Sequence, residues 1–113
     1  MLTDEQMLKI AERYIERRKG TLNKKVVIYK DDIIKKTYGN LFSYNTEEFI
    51  ITGDINKSLF VNPPFLVEKK AGRVVQFSTS TILEEEIKAY ENGTIGKSLD
   101  LYWYPDEDRF DYK

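Results

Sequence analysis

The chain has no cysteine and no histidine, and only one tryptophan, three prolines and six glycines among its 113 residues. Without cysteine there are no disulfides, no thiolate nucleophile and no cysteine-based zinc site. Without histidine there is no imidazole general base and no histidine metal ligand. Neither sign of charge is in excess. The 18 Lys and Arg stand against 19 Asp and Glu, a net charge of −1, which argues against a surface dominated by phosphate contacts. Long apolar runs are missing too. The opening segment, MLTDEQMLKIAERYIERRKG, alternates charged and apolar residues, whereas a signal peptide needs about 7–15 consecutive apolar residues and a bilayer span roughly 20. No lipidation signal is present, since such C-terminal signals need a cysteine or an apolar tail. The expectation is a cytoplasmic protein that engages no membrane and no nucleic acid.

What is present suffices for a folded domain. Hydrophobic residues make up 41% and aromatic residues 13%, more than a disordered chain carries. A chain of this length suits one core and buries roughly two-thirds of its unfolded surface. Thr3 followed by Gln6 reads as a capping box, and Met7, Ile10, Ala11, Tyr14 and Ile15 then recur at helical spacing. Arg17, Arg18 and Lys19 suit the negative end of the macrodipole, and Gly20 supplies a stop. A helix is predicted over 4–19.

Residues 24–29 are short and β-rich. Asp31-Asp32 is a turn candidate, and Ile33 to Tyr38 a second strand that Gly39-Asn40 is expected to break. Leu41 to Tyr44 resumes with strand character. Asn45 with Glu48 has the spacing of a helix cap, and Phe49-Ile50-Ile51 continues as a short helix that Gly53 ends. Residues 54–64 read as an irregular connection, because Pro63-Pro64 cannot donate to a ladder. Two apolar runs, 65–69 and 73–77, flank Lys70-Ala71-Gly72, a hairpin with Gly72 free to take positive φ. Thr81 with Glu84 forms another capping box, and Leu83, Ile87 and Tyr90 line one face of a helix over 82–92 that Gly93 closes.

The last stretch differs in composition. Residues 99–113, LDLYWYPDEDRFDYK, hold five of the 15 aromatics, with five acids and two bases, so they carry −3 and the preceding 98 residues +2. Tyr and Trp offer large rigid contact area with a polar edge, and Asp106, Glu107 and Asp108 suit a basic partner surface. The bland alternative is that Leu99, Leu101 and Trp103 pack inward as a last strand with a frayed end beyond Pro105. Both hold together if Tyr102 and Tyr104 face outward. The order of elements predicts an α+β fold, an antiparallel sheet of about four to five strands packed with an N-terminal and a C-terminal helix. Residues 1–98 form the domain and 99–113 an extension packed on it.

Catalytic and nucleotide-binding patterns are weak. Arg13, Arg17, Arg18, Lys19, Lys24 and Lys25 form the strongest basic run. With no interleaved aromatics they read as a helix end and a solvated turn. Glu84-Glu85-Glu86 point about 100° apart on a helix, so they cannot converge on one atom, and the macrodipole accounts for them. Gly96-Lys97-Ser98 ends like a phosphate loop, but the residue five before Gly96 is Glu91 and the segment follows a helix. Ser43, Ser58 and Thr79 lack a recognisable base partner. No enzyme, no metal and no cofactor are expected.

Two segments carry a family likeness. Residues 38–54, YGNLFSYNTEEFIITGD, and 62–75, NPPFLVEKKAGRVV, resemble the centre of the bacterial immunity protein 35 family, the YrhB-like domain. Residues 79–90, TSTILEEEIKAY, resemble its closing link and helix, and with the first helix the likeness covers residues 4–92. The family typically has Trp after the glycine of the central segment, where this chain has Asn40. The resemblance implies an immunity protein of a polymorphic toxin system, acting in bacterial competition. It would bind a cognate protein toxin and occlude it stoichiometrically, as a monomer or weak homodimer. The alternative is a small chaperone-like or housekeeping protein-binding domain of the same fold. The candidate partner contacts are Tyr102, Trp103, Tyr104, Asp106, Glu107 and Asp108, with Asn40 and Asn62 in loops flanking the sheet.

Overall fold

A computed structural model of the chain describes residues 1–20, 23–59, 63–78, 82–95 and 101–110. The first helix, α1 (Asp4–Lys19), has the predicted bounds. Both bonds of its capping box form: the Gln6 N–H donates to Thr3 Oγ1 at 3.1 Å and the Thr3 N–H to Gln6 Oε1 at 2.9 Å. Met7, Ala11, Tyr14 and Ile15 are buried along one stripe, as the spacing requires. Strands β1 (Val26–Ile28), β2 (Ile34–Lys36), β3 (Gly39–Phe42) and β4 (Tyr44–Thr46) lead into a short helix, α2 (Glu47–Thr52). The hairpin β5 (Phe65–Glu68) and β6 (Val74–Gln76) turns through Gly72 at φ 77. Helix α3 (Leu83–Glu91) precedes a second hairpin, β7 (Tyr102–Tyr104) and β8 (Arg109–Phe110).

The fold is α+β, but its sheet is larger than expected. Among the described residues, six antiparallel strands run in the order β2-β3-β5-β6-β7-β8, and β1 pairs with β4 in a separate ribbon. Strands β4 and β8 are additional to the expectation, and two further readings are corrected. Gly39 and Asn40 do not break a strand; they begin β3, with Gly39 opposite Glu68. A Cβ on Gly39 would lie 2.2 Å from the Val67 carbonyl oxygen, so the glycine permits close approach of two backbones and terminates nothing. The chain beyond Pro105 also contributes more than a frayed end, because it turns through residues 105–108 and returns as β8.

Two caps differ as well. Thr46, not Asn45, is the N-cap of α2, and its hydroxyl accepts from the Phe49 N–H at 3.1 Å. Helix α3 has Ile82 at its N-cap with no side-chain cap bond, and Thr81 of the expected box lies outside the described residues.

The sheet separates two apolar layers by side-chain alternation. Toward α1 point Phe42, Phe65, Val67, Val74, Trp103 and Phe110, with Met7, Ala11 and Tyr14 above them. The rings of Tyr14 and Phe65 are 4.6 Å apart and those of Tyr14 and Trp103 5.7 Å; each such pair adds about 0.5–1.5 kcal/mol beyond its buried area. Toward α3 point Leu41, Leu66, Val75 and Phe77, covered by Leu83, Ile87 and Tyr90. Leu101 belongs to this second layer and Trp103 to the first. They were expected to share a face; Leu101 instead precedes β7, and the pleat begins after it.

Candidate functional site

The alternation of β7 divides the predicted contact residues between two sides of the sheet. Tyr102 and Tyr104 are half-buried on the α3 side, while Trp103 is 1% exposed in the α1 layer. Trp103 is therefore a core residue of the free chain and not a surface anchor, because a strand cannot send three consecutive side chains one way. Asp106 and Glu107 are exposed in the turn after Pro105. Asp108, also exposed, faces α1: its Oδ1 accepts from Arg17 Nε at 2.8 Å and from Trp103 Nε1 at 3.2 Å. Asn40 is 2% exposed in β3 and donates to Asp4 Oδ1 at 3.1 Å, which corrects its placement in a surface loop. Asn62 lies outside the described residues.

The surface around Tyr102 and Tyr104 is built from two repeats of one arrangement. Arg73 donates to both carboxylate oxygens of Glu68, at 2.7 and 2.9 Å, and its guanidinium lies 4.0 Å from the centre of the Tyr102 ring. On the outermost strand, β8, Arg109 pairs with Glu107 at 2.8 Å and lies 4.5 Å from the Tyr104 ring. Planar guanidinium suits both partners at once, stacking on the ring while its edge meets a carboxylate. The Tyr90 hydroxyl donates to Glu68 and the Tyr38 hydroxyl to Glu91, at 2.7 Å in the latter case, and the two rings are 5.1 Å apart. Burial and then the neighbouring carboxylate push both hydroxyls well above the usual tyrosine range. Glu68 in turn holds the Arg73 guanidinium more firmly in its charged form.

Arg73 forms the wall between two concavities. One, of about 520 Å³, is lined by Tyr38, Tyr90 and Tyr102 among others. The second, of about 430 Å³, is lined by Glu68, Lys70, Tyr104, Asp106 and Glu107 among others. The basic run of α1 is used on the other side. Arg13 donates to the Pro105 carbonyl at 3.0 Å and lies 5.5 Å from the Trp103 ring centre, while Arg17 holds Asp108. These cations latch the C-terminal hairpin to the first helix, and Lys19 and Lys25 pair with Glu16 and Glu47.

Among the described residues no cluster of carboxylates is placed to hold a metal ion, and no buried side-chain nitrogen or oxygen lacks a partner. Ser58 is engaged with the Asn45 amide at 2.9 Å. Several polar groups at the hairpin are matched to one another, Arg73 and Tyr90 to Glu68 and Arg109 to Glu107. Such a surface is amphipathic. Tyr38, Glu68, Arg73, Tyr90 and Arg109 were missed in the sequence. The one available signal was an acid and a base flanking the Gly72 turn, Glu68 and Arg73, at opposed ends of a predicted hairpin.

Fold and surface together define a small α+β domain that presents a preorganised aromatic and charged face. Residues 5–90 match the family described as Immunity protein 35, and the chain belongs to that family. It is also similar to "Uncharacterized protein YrhB" of Escherichia coli (strain K12), with 36% identity over 53 residues, 47% of this chain and 56% of that protein. The chain thus spans about half the length of this curated relative. No solved structure matches significantly. The C-terminal hairpin lies beyond the family-matched residues. Among the described residues, no helix is long and apolar enough to cross a membrane.

Proposed function

We propose that the protein neutralises a cognate toxin of a bacterial polymorphic toxin system by stoichiometric occlusion. The contact face is the C-terminal hairpin with the β5–β6 turn beside it. Tyr102 and Tyr104 supply rigid area, and Asp106 and Glu107 supply charge that attracts a basic toxin surface. The observation that carries this reading is the pair of Arg–Tyr–Glu clamps, which hold the two tyrosines in place before any partner arrives, so that little side-chain freedom remains to be lost on binding. Family membership supports the immunity role.

The experiment is co-expression with the toxin encoded by the neighbouring reading frame, followed by size exclusion and a survival assay. A stable complex and rescued growth are expected. If the two proteins elute separately and cells still die, the reading is wrong. Asp106→Asn with Glu107→Gln is expected to slow association about tenfold at low salt and little at high salt, since exposed charges act on the encounter rate.

A further inference from the structure

The α3 side of the sheet twice sets a guanidinium against both a tyrosine ring and a carboxylate: Arg73 with Tyr102 and Glu68, and Arg109 with Tyr104 and Glu107. Beside them stands a third carboxylate with two more rings. Tyr38 and Tyr90 lie 5.1 Å apart, tilted by 45°, and the Tyr38 hydroxyl donates to Glu91 Oε2 at 2.7 Å. Among the described residues, no lysine or arginine of the chain pairs with Glu91 or lies over either ring. The acid is exposed, and its Oε1 makes no hydrogen bond among those residues. These groups line the concavity of about 520 Å³ together with Tyr102, Arg73 and Gly93. Three features favour positive charge there. The faces of the tyrosine rings are negative. The carboxylate of Glu91 is not matched by a cation. Glu91 and Gly93 also lie at the C-terminal end of α3, the negative end of its macrodipole. Arg73 opposes this little, because both oxygens of Glu68 already meet its charge, at 2.7 and 2.9 Å.

We propose that this concavity seats an arginine side chain of the toxin, whose guanidinium completes a third clamp of ring and carboxylate at Tyr38, Tyr90 and Glu91. The inference rests on the immunity reading above and names one partner group for it. A guanidinium suits the site better than an ammonium. It is planar and weakly hydrated, it stacks on a ring while its edge meets an acid, and the chain itself fills both neighbouring clamps with arginine. A lysine ammonium is a strongly hydrated point charge, and one free carboxylate oxygen replaces little of its water. The toxin is the occupant because the concavity is continuous with the contact face. Arg73 is the wall it shares with the cleft lined by Asp106 and Glu107, and Tyr102 belongs to both. A basic surface drawn to those acids therefore covers Glu91 in the same docking.

Two measurements on the full chain test the seat. In an NMR titration with the capped tripeptide Gly-Arg-Gly, saturable shifts are expected at the amides of Tyr38, Glu91 and Gly93. The lysine counterpart is expected to bind more weakly, and the uncharged citrulline counterpart not at all. With the neighbouring toxin, Glu91→Gln is expected to raise the dissociation constant about tenfold, and Tyr38→Phe, which keeps the ring, by less than about threefold. Circular dichroism and thermal unfolding of Glu91→Gln are expected to match the parent, since the side chain is exposed and its amide oxygen still accepts from Tyr38. One arginine-to-alanine substitution in the toxin is expected to cost less in the Glu91→Gln background than in the parent. No shifts with the arginine peptide, or equal binding of the citrulline peptide, overturns the seat. Parental toxin affinity in Glu91→Gln, or losses that add for every toxin arginine, overturns it and leaves the immunity reading standing. Absence of any complex with the unmodified chain overturns both.

Discussion

Arg17 and Asp108, ninety-one positions apart in the chain, meet at 2.8 Å and tie the C-terminal turn to the first helix. The same Asp108 oxygen receives the indole N–H of Trp103, so one carboxylate serves a surface ion pair and a core side chain together. Asp108 also has positive φ, 46°, a conformation that Asp and Asn tolerate better than most residues.

This double duty separates the two partners energetically. Arg17→Ala is expected to lower stability by at most about 1 kcal/mol, because the pair is half exposed and screened. Asp108→Ala removes both bonds and places Ala in a left-handed conformation, and about 1–2 kcal/mol is expected. Asp108→Asn keeps the acceptor and the turn and should fall within about 1 kcal/mol of the parent. Urea unfolding followed through the single tryptophan measures all three. Equal losses for Arg17→Ala and Asp108→Ala would contradict the assignment.

Gly39→Ala tests the close approach of β3 and β5. The added methyl meets the Val67 carbonyl oxygen at 2.2 Å and Glu68 Cα at 3.0 Å, and both are backbone atoms of a paired strand that cannot rotate aside. A loss of about 2–3 kcal/mol is expected. By contrast, Gly53→Ala meets no atom within 4 Å and should lose only about 1 kcal/mol from its left-handed φ. A Gly39→Ala protein as stable as the parent in thermal melts would show that the strands can part.

Removing Arg73 leaves Glu68 without its guanidinium at a site where the carboxylate side chain is only 18% exposed. Arg73→Met is expected to lower stability by about 1–3 kcal/mol. Adding Glu68→Gln to it should recover part of that loss, since the uncompensated charge is gone. A double-mutant cycle by chemical denaturation gives the coupling; additive effects would deny it.

Stability should be flat near neutral pH and fall at both extremes. No histidine or cysteine titrates in between. Asp4 is held below the usual range by Lys35 and then by Asn40, so its stabilisation is present above the unfolded value of about 3.9 and is lost as pH falls through the lower folded value. Tyr38 and Tyr90 are raised, by burial and then by Glu91 and Glu68. Their stabilisation is complete below the unfolded value of about 10 and is lost as pH rises toward the folded values, because the unfolded state releases protons first. Tyr90→Phe and Tyr38→Phe should flatten the alkaline fall of the melting temperature while leaving the acid limb unchanged. An unaltered alkaline limb would mean that neither hydroxyl carries the dependence.

The sequence by itself determined the local elements whose causes are local. The 4–19 helix was legible because its cap, stripe, basic last turn and glycine all act within a turn or two of one another. The Gly72 hairpin was legible for the same reason, and the short helix ending at Gly53 nearly so. That Tyr102 and Tyr104 share the side opposite Trp103 followed from the two-residue repeat of a strand. Only the tertiary structure decided what depends on a distant neighbour. Gly39 looked like a break until β5 lay against it, and Asn40 looked exposed until α1 covered it. Trp103 looked like a contact until the pairing of β7 with β6 turned it inward. Tyr38 and Tyr90 had no signal joining them to Glu68 and Arg73, because the β2–β3 turn, α3 and the Gly72 hairpin that carry them meet only in the completed fold. The exposure of Ile51 and Ile55 was hidden for the converse reason: an apolar side chain predicts burial, and only the completed fold shows which ones stay at the surface.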